Sequence, residues 1–362
     1  MIFKLILVFF ALFGLYVGLG RLWKRTFAFE PGYDEIHLVR SQDGWRIALY
    51  RYPAAPRRYE TPVLLCHGLG ANRFNFDLGH EASLARYLQQ EGFEVWSIDL
   101  RGRGNSGRPP RGNRGPRHAP FFDDYVRKDA PAAIRHVLGQ TGACRVHWIG
   151  HSMGGLVLYA LLQGEGAAAI TSGVAIGSPG SFGKVRMGSL VYVVSQALRF
   201  LPRMHLSFLA AGAAPLVAHI RFPREGFFLN RKNVERVVLE RALCHLVADV
   251  SGGEIAQSLD WMKSGEFRAC DKVTSYEDRL ASVRQPLFLI AGAKDFLAPP
   301  ESVAAVYERI GSEKKDFLIL GRQQGQEHDY GHGDLLIGKN CSREVFPRIR
   351  DWLASVESGP PG

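Results

Sequence analysis

The chain has 362 residues, of which 46% are hydrophobic and 22% charged, so it can bury a sizeable core and is neither a disordered nor a fibrous protein. Lys and Arg number 45 against 35 Asp and Glu, a net charge of +10, which favours an acidic partner such as anionic lipid, nucleic acid or an anionic substrate. Five scattered cysteines without a Cys-x-x-Cys pair exclude a zinc ribbon, and we interpret them as buried free thiols.

An uncharged apolar run covers residues 5–20, between Lys4 and Arg21. As a helix it is about 24 Å long, shorter than the hydrocarbon core of about 30 Å. If the flanking cations extend toward the headgroups, residues 2–23 reach about 33 Å, and Trp23 supplies an interfacial anchor. A membrane-spanning helix therefore fits the segment.

We predict a single-pass N-terminal membrane anchor over residues 1–25. A cleaved signal peptide is the alternative, because Gly18-Leu19-Gly20 offers small residues at a suitable spacing. Arg21, Lys24 and Arg25 follow the run, whereas only Lys4 and the amino group precede it. This small excess favours a cytoplasmic location for the remainder of the chain.

Short β-branched and aromatic runs predict strands at residues 45–52, 62–66, 94–99, 145–150, 172–176, 286–292 and 315–320. Helical patterns lie between them, at residues 82–91, 123–139, 154–163, 300–310 and 343–356. Strands that alternate with helices indicate βαβ units and a mainly parallel sheet, with the first two strands as the exception. The fold class is α/β.

The alternation is interrupted over residues 178–284, where the pattern is helical throughout. This insertion is far longer than an ordinary αβ connection, and we predict a helical cap over the sheet. The core then has two parts, at residues 30–177 and 285–356, followed by a flexible tail at 357–362. Apolar helices predicted at 185–201 and 205–220 suit lipid or an acyl chain, or else they form the core of the cap itself.

Six arginines follow the third predicted strand in a Gly/Pro-rich stretch that has no acidic residue between Asp99 and Asp123. We expect this stretch to be an exposed loop that is either solvated or laid against anionic headgroups. The arginines are Arg101, Arg103, Arg108, Arg111, Arg114 and Arg117.

The strongest chemical motif is Gly150-His151-Ser152-Met153-Gly154, which matches G-x-S-x-G. A predicted strand precedes the motif and a predicted helix follows it, which is the context of a nucleophile elbow. Gly150 and Gly154 allow the sharp turn that exposes the serine hydroxyl. We therefore predict Ser152 as a catalytic nucleophile.

A serine nucleophile in this setting requires an acid and then a histidine later in the chain. Asp295 lies just after the strand at 286–292, at the sheet edge where ligands gather. The loop after the last strand contains His328 and His332, and we favour His332 as the general base because its glycine neighbours permit close approach to Ser152. His328 is the alternative, since both lie on one loop.

Acyl transfer also requires hydrogen-bond donors for the oxyanion. His67-Gly68-Leu69-Gly70 follows the strand at 62–66, and the N–H groups of Leu69 and Met153 form the expected oxyanion hole. His67 itself is a second candidate base, but its position on this turn favours a structural role.

Two further patterns are weaker. Residues 102–107 match G-x-G-x-x-G, but prolines follow where a dinucleotide-binding helix would have to begin. His328, Asp329, His332 and Asp334 resemble a metal cluster, but the glycines between them disfavour a helix that would align the histidines. We therefore predict no cofactor, no metal and no nucleic-acid partner.

Residues 62–353 resemble a serine α/β-hydrolase. The resemblance rests on the HGLG turn, the GHSMGG elbow, AGAKD ending at Asp295 and YGHGD around His332. It is closest to the acid-lipase-like branch and is similar in layout to polyhydroxyalkanoate synthases, which carry Cys where this chain has Ser152. The resemblance implies a mainly parallel eight-stranded sheet flanked by helices, and an esterase that uses Ser152, His332 and Asp295.

Together these features predict a membrane-anchored serine hydrolase that cleaves apolar, lipid-like carboxylic esters through an acyl-enzyme. An acyltransferase with the same triad is one alternative, and a non-catalytic lipid-binding protein with a relic triad is another. The sequence leaves the ester, the membrane side and the oligomeric state open.

Overall fold

The computed structural model describes residues 2–79, 82–107, 119–182, 203–219 and 228–358. The predicted helix at 185–201, four of the six arginines (Arg108, Arg111, Arg114 and Arg117) and the last four residues of the predicted tail lie outside the described residues.

Eight strands of the described chain form one sheet in the order β1-β2-β4-β3-β5-β6-β9-β10. Parallel pairing runs from β4 through β10, and β1 and β2 are antiparallel. The sheet strands are β1 (Glu35–Arg40), β2 (Arg46–Tyr52), β3 (Val63–Cys66), β4 (Val95–Asp99), β5 (Val146–His151), β6 (Ile170–Ile176), β9 (Leu287–Gly292) and β10 (Lys315–Leu320). Two further strands, β7 (Arg203–Met204) and β8 (Val250–Ser251), form a separate ribbon. The predicted α/β class with a mainly parallel eight-stranded sheet is confirmed.

One expectation about the strands was wrong, and one strand was not predicted. The strand β3 was expected to be an exception to the parallel sheet, but it pairs in parallel with both β4 and β5. The antiparallel partners of β2 are β1 and β4. The strand β1 was not predicted, because this edge strand is mostly exposed and carries charged residues among its apolar ones.

The helices are α1 (Ile2–Thr26), α2 (Leu84–Gln90), α3 (Phe122–Asp124), α4 (Ala130–Thr141), α5 (Met153–Leu161), α6 (Leu206–His219), α7 (Arg236–Arg241), α8 (Gly252–Ser264), α9 (Pro300–Arg309), α10 (Asp334–Ile337), α11 (Cys341–Glu344) and α12 (Phe346–Glu357). A single π-turn at Tyr125–Asp129 joins α3 to α4, so the helix predicted at 123–139 is present but not uniform. Gly142 ends α4 in the left-handed conformation at φ 71°.

Hydrophobic residues fill both faces of the sheet. The strands β3, β4, β5 and β9 are buried along their whole length, as expected for parallel strands covered by helices on both sides. One face packs Trp96, Trp148 and Phe122, and the other packs Phe288 and Leu336. The carboxyl ends of the central strands are thereby held as a rigid platform.

The expected cap region is not helical throughout, because the β7–β8 ribbon interrupts it. Near its end, Trp261 on α8 and the following Phe267 pack against Phe122, with ring centroids 5.1 and 5.5 Å apart. This part of the region is therefore joined to the main core. The domain boundaries at 178 and 284 stay a prediction.

The N-terminal helix α1 has the length and composition of a membrane span. Its segment Ile6–Thr26 has a mean hydropathy of 1.9, with only 6% of the apolar window buried. A signal sequence shares these properties. One side of α1 packs against α6, where Gly20 approaches the backbone of Gly212.

The arginine stretch is not simply an exposed loop. Arg101 and Arg103 are each 2% exposed. The Arg101 guanidinium donates to Asp129 at 2.8 Å through Nε, and Arg103 pairs with Glu254. The expectation of a solvated or headgroup-bound loop was therefore wrong for these two residues, whose partners lie far away in sequence.

The cysteines are all free, as expected. Cys66, Cys244 and Cys341 are buried, whereas Cys144 and Cys270 are exposed. The expectation that all five thiols are buried was wrong for these two.

Candidate active site

Ser152 occupies a strained turn between β5 and α5. Its φ of 53° and ψ of −117° are unusual for a residue that is not glycine. A Cβ on Gly150 would lie 2.2 Å from the Gly154 carbonyl, and a Cβ on Gly154 would lie 2.0 Å from the Cys66 carbonyl oxygen. Both glycines are therefore required by close backbone approach, as the elbow motif predicts.

Backbone hydrogen bonds fix the strained serine. The Ser152 N–H donates to the Ile176 carbonyl at 2.8 Å, and the Ser178 hydroxyl donates to the Ser152 carbonyl at 2.8 Å. Both partners lie at the end of β6 or just after it. The side chain of Ser152 remains partly accessible, so the turn presents its hydroxyl at the carboxyl edge of the sheet.

The structure brings Asp295 and His332 together. His332 Nδ1 lies 2.8 Å from Asp295 Oδ2, and both residues are buried. The other carboxylate oxygen accepts hydrogen bonds from the N–H groups of Leu297 and Ala298, each at 2.8 Å. Because a carboxylate only accepts, Nδ1 carries the proton in this pair. The lone pair of a neutral His332 is then on Nε2.

The same histidine also contacts the elbow. The carbonyl oxygen of His332 lies 3.1 Å from Nε2 of His151, the residue before Ser152, and the two rings are 4.8 Å apart. Gly177 lies beneath the acid–histidine pair, where a Cβ would be 3.2 Å from the Asp295 carboxylate and 3.3 Å from His332 Nδ1. Ser152, Asp295 and His332, which are distant in sequence, therefore lie at the same edge of the sheet.

The HGLG turn covers the serine. A Cβ on Gly68 would lie 3.1 Å from the Ser152 Cβ, so a side chain there would press on the serine. Leu69 is 40% exposed beside it. Met153 is the first residue of α5, and the N–H groups of the first helical turn have no partner within a helix. The turn that carries Leu69 and the first turn of α5, which carries Met153, thus both adjoin Ser152.

His67 has no ring nitrogen available for proton transfer. It is fully buried, the Leu100 N–H donates to its Nε2 at 3.1 Å, and its Nδ1 therefore donates to the Gly68 carbonyl at 2.9 Å. Burial lowers the pKa of His67 to about 4. These contacts fit the structural role that the sequence favours for His67.

His151 is also held neutral. Burial, followed by the neighbouring His332, lowers the pKa of His151 to about 3. Its Nδ1 faces the Asn75 side-chain oxygen at 2.9 Å, and the Gly68 N–H donates to the same oxygen at 3.2 Å. Because a neutral imidazole carries one ring proton, His151 donates to one of the two oxygens, that of Asn75 or that of His332, and contacts the other. His151 and Asn75 thus lie between the elbow, the HGLG turn and the backbone of His332.

The other polar residues of the histidine loop have separate partners. Asp329 pairs with Lys294 at 2.9 Å, and His328 lies 3.5 Å from Glu327. Asp334 is fully buried and accepts the N–H of Gly331 at 3.0 Å. Among the residues that the structure describes, no group of three or more His, Cys, Asp or Glu could hold a metal ion.

The glycine-rich segment at 102–107 also has a structural explanation. It contains one three-residue 3₁₀ turn, at Gly104–Ser106, where a dinucleotide site would need a helix. A Cβ on Gly104 would lie 1.9 Å from the Asp99 carboxylate. Asp99 in turn accepts the N–H groups of Arg73 and Asn105, so the glycine serves a buried turn.

The sequence reasoning missed two positioning residues, Asn75 and Ser178, and it named His151 only as part of the elbow. Each holds a backbone atom of a site residue, and no local pattern distinguishes such a residue from an ordinary turn residue. Asp334 was named only as part of a metal cluster. Its carboxylate instead accepts from Asn233 Nδ2 at 2.9 Å and from the Asn230 N–H at 2.8 Å.

The chain is similar to known hydrolases in sequence and in fold. The family of serine aminopeptidase S33 hydrolases matches residues 58–323. Lipase 1 of Drosophila melanogaster is 24% identical over 91% of this chain and 79% of its own length. Gastric triacylglycerol lipase of Mus musculus is 25% identical over 89% of this chain and 88% of its own. An esterase structure from Thermogutta terrifontis covers 90% of this chain and all of its own, with a TM-score of 0.59 and 19% identity.

Proposed function

Because the chain belongs to the serine aminopeptidase S33 family of α/β-hydrolases, and is a serine ester hydrolase of the lipase and esterase type, we propose that Ser152, His332 and Asp295 are its catalytic triad. The observation that carries the proposal is the 2.8 Å pair of His332 Nδ1 and Asp295 Oδ2 beside the Ser152 elbow.

The proposed reaction begins with attack of the Ser152 hydroxyl on the ester carbonyl. His332 Nε2 takes the hydroxyl proton as the new C–O bond forms, and the N–H groups of Leu69 and Met153 stabilise the oxyanion. The protonated His332 then gives its proton to the leaving alcohol. Asp295 keeps the imidazole in the required tautomer and stabilises its charged form.

Water completes the cycle. His332 takes a proton from a water molecule, whose oxygen attacks the acyl group on Ser152, and the same proton returns to the serine as the free acid leaves. Each step uses side chains and backbone groups of this chain. The proposed reaction requires no metal and no organic cofactor.

We further propose that the substrate carries an apolar acyl chain and that α1 anchors the enzyme in a membrane. The names of the lipase relatives support a lipid-like ester, and so do the exposed side chains of Leu69 and Phe296 beside site residues. The excess of basic residues after the apolar run supports a cytoplasmic catalytic domain.

Turnover of p-nitrophenyl esters tests the assignment. We expect Ser152→Ala to reduce kcat by at least about 10³-fold. Ser355→Ala is the control, because Ser355 lies on the C-terminal helix α12 and its hydroxyl donates to the Trp352 carbonyl. Wild-type turnover in the Ser152 variant would contradict the triad. A preference for acetyl over long acyl esters would contradict the apolar substrate but leave the triad intact.

A further inference from the structure

The HGLG turn, which carries the N–H of Leu69, is held by hydrogen bonds on both sides of that residue. The Gly70 carbonyl accepts the N–H of Ala248 at 2.8 Å. The Gly68 N–H donates to the side-chain oxygen of Asn75 at 3.2 Å. Because Leu69 lies between these two bonds, the position of its N–H depends on the segments that contain residues 75 and 248.

The side chain of Asn72 joins those two segments to each other. Asn72 caps the short 3₁₀ turn at residues 73–75, where its Oδ1 accepts the N–H of Phe74 at 3.0 Å. Its Nδ2 donates to the carbonyl of His245 at 2.7 Å. One amide side chain therefore connects the 3₁₀ turn with the segment at residues 245–248.

Three aromatic rings pack together where the two segments meet. The rings of Phe74 and His245 have centroids 5.9 Å apart. Phe29, three residues after the end of α1, lies 5.2 Å from Phe74 and 5.5 Å from His245. All three pairs are edge-to-face, which is a favourable arrangement of aromatic rings. Phe29 therefore contacts both of the segments that hold the HGLG turn.

The connector after α1 is fixed to the catalytic core at this place. The guanidinium of Arg241 lies 5.4 Å from the centroid of the Phe29 ring, within the range of a cation–π contact. Three residues further on, the Gly32 N–H donates to the buried carboxylate of Asp77 at 2.7 Å. Arg86 Nε donates to the other oxygen of that carboxylate at 3.2 Å. These contacts hold the backbone on either side of the ring cluster.

We propose that Phe29 is a positioning residue of the active site, which holds the HGLG turn in place by packing against Phe74 and His245. The inference rests on the proposed function, because the turn affects the rate only if the Leu69 N–H stabilises an oxyanion. Removal of one oxyanion donor costs about 10²–10³ in kcat, and a displaced donor loses part of the same interaction. Phe29 then acts on the rate through the turn and has no part in binding the ester.

Steady-state kinetics of the full chain with a soluble p-nitrophenyl ester test this role. We expect Phe29→Ala to reduce kcat about tenfold and to leave KM within about twofold, because the oxyanion forms only in the transition state. Phe29→Leu should keep kcat within about threefold of wild type, because leucine fills most of the volume of the ring.

Tyr59→Ala is the matched control. Tyr59 is half-buried like Phe29, and it stacks on Phe93 with ring centroids 3.9 Å apart. The two control rings precede β3 and β4, so they lie at the amino ends of the strands, opposite the proposed site. Tyr59→Ala should lower Tm and leave kcat unchanged.

Inhibition by a trifluoromethyl ketone supplies a readout that a loss of stability does not change. The oxygen of Ser152 adds to the ketone carbon and the serine proton passes to His332, so the adduct carries an oxyanion and resembles the transition state. We expect Ki to rise about tenfold in Phe29→Ala, in parallel with the fall in kcat/KM. Ki should be unchanged in Tyr59→Ala.

Asn72→Ser tests the same connection from the side of the turn. A serine keeps an oxygen for the Phe74 N–H, as N-cap serines do, but it lacks the donor to the His245 carbonyl. We expect its loss of kcat to lie within about threefold of the loss in Phe29→Ala. The double variant should lose much less than the product of the two losses, because both changes act through one displacement.

A folded Phe29→Ala variant whose kcat lies within about twofold of wild type would overturn the inference. An unchanged Ki in that variant, or losses that multiply in the double variant, would overturn it as well. An inactive Ser152→Ala variant would in each of these cases still support the proposed function. Retention of turnover in Ser152→Ala would instead refute the proposed function, and the inference with it.

Discussion

The replacement Asp295→Asn tests the acid of the proposed triad with the least change in shape. Asp295 Oδ1 accepts the N–H groups of Leu297 and Ala298, and Oδ2 faces His332 Nδ1. An asparagine can keep its oxygen toward the two backbone donors, or it can turn its NH₂ group toward them. The second orientation leaves two buried donors unsatisfied, at about 1–3 kcal/mol each.

The first orientation therefore dominates, and it presents the NH₂ group to His332. The imidazole must then accept at Nδ1, which moves its proton to Nε2 and removes the lone pair that Ser152 needs. A wrong tautomer of this kind in a serine protease costs about 10⁴ in kcat, which corresponds to about 5.4 kcal/mol. We expect the same magnitude here, with little change in KM.

The assay is kcat and KM for a p-nitrophenyl ester, together with thermal unfolding of each variant. Asp329→Asn is the matched control on the histidine loop, because Asp329 makes a partly exposed ion pair with Lys294 at 2.9 Å. We expect it to retain kcat within about twofold, since such pairs contribute about 0–1 kcal/mol. A folded Asp295→Asn variant that retains more than about a tenth of wild-type kcat would contradict the assignment of the acid, because the wrong tautomer should leave only about 10⁻⁴ of it.

Three further predictions concern stability. The buried His67 has a folded pKa of about 4, below its usual value of about 6.5, so protonation of the unfolded chain destabilises the fold as pH falls from about 6.5 to about 4. From pH 7 to 5, urea unfolding should show that wild type loses about 2 kcal/mol more than His67→Asn, and equal losses would contradict this origin. Gly154→Ala places a Cβ 2.0 Å from a backbone oxygen and should destabilise the fold by at least about 3 kcal/mol. Gly139→Ala, which has open space around it in α4, should stabilise the fold by about 0.5–1 kcal/mol. Similar melting temperatures for the two variants would contradict this prediction. Glu254→Gln leaves the buried Arg103 guanidinium without its charged partner and should destabilise by about 3–5 kcal/mol, so a loss below about 1 kcal/mol would show that the pair is unimportant.

The central strands could be predicted because burial on both faces makes each a continuous apolar run. Their observed ends lie within two residues of the predicted ones. The edge strand β1 could not be predicted, because it has charged residues on an exposed face. The strands of the β7–β8 ribbon could not be predicted either, because two residues are too few to show an alternation of polar and apolar side chains.

The candidate site could also be predicted only in part. The elbow glycines and the order serine, acid, histidine are local signals, and they lead to Ser152, Asp295 and the histidine loop. The sequence cannot show which of the two histidines on this loop pairs with Asp295, because the pairing depends on distances in the folded chain. The partners of Arg101 and Arg103 were missed for the same reason, since Asp129 and Glu254 lie 28 and 151 residues away.

Covalent labelling with a fluorophosphonate tests the proposed triad most directly, because the reagent reacts only with a serine that a base has activated. We expect one label per chain, mapped by mass spectrometry to Ser152. The label should be absent in Ser152→Ala and slowed at least about 10³-fold in His332→Gln, which removes the base. Labelling at another serine, or labelling of the His332 variant at the wild-type rate, would contradict the assignment.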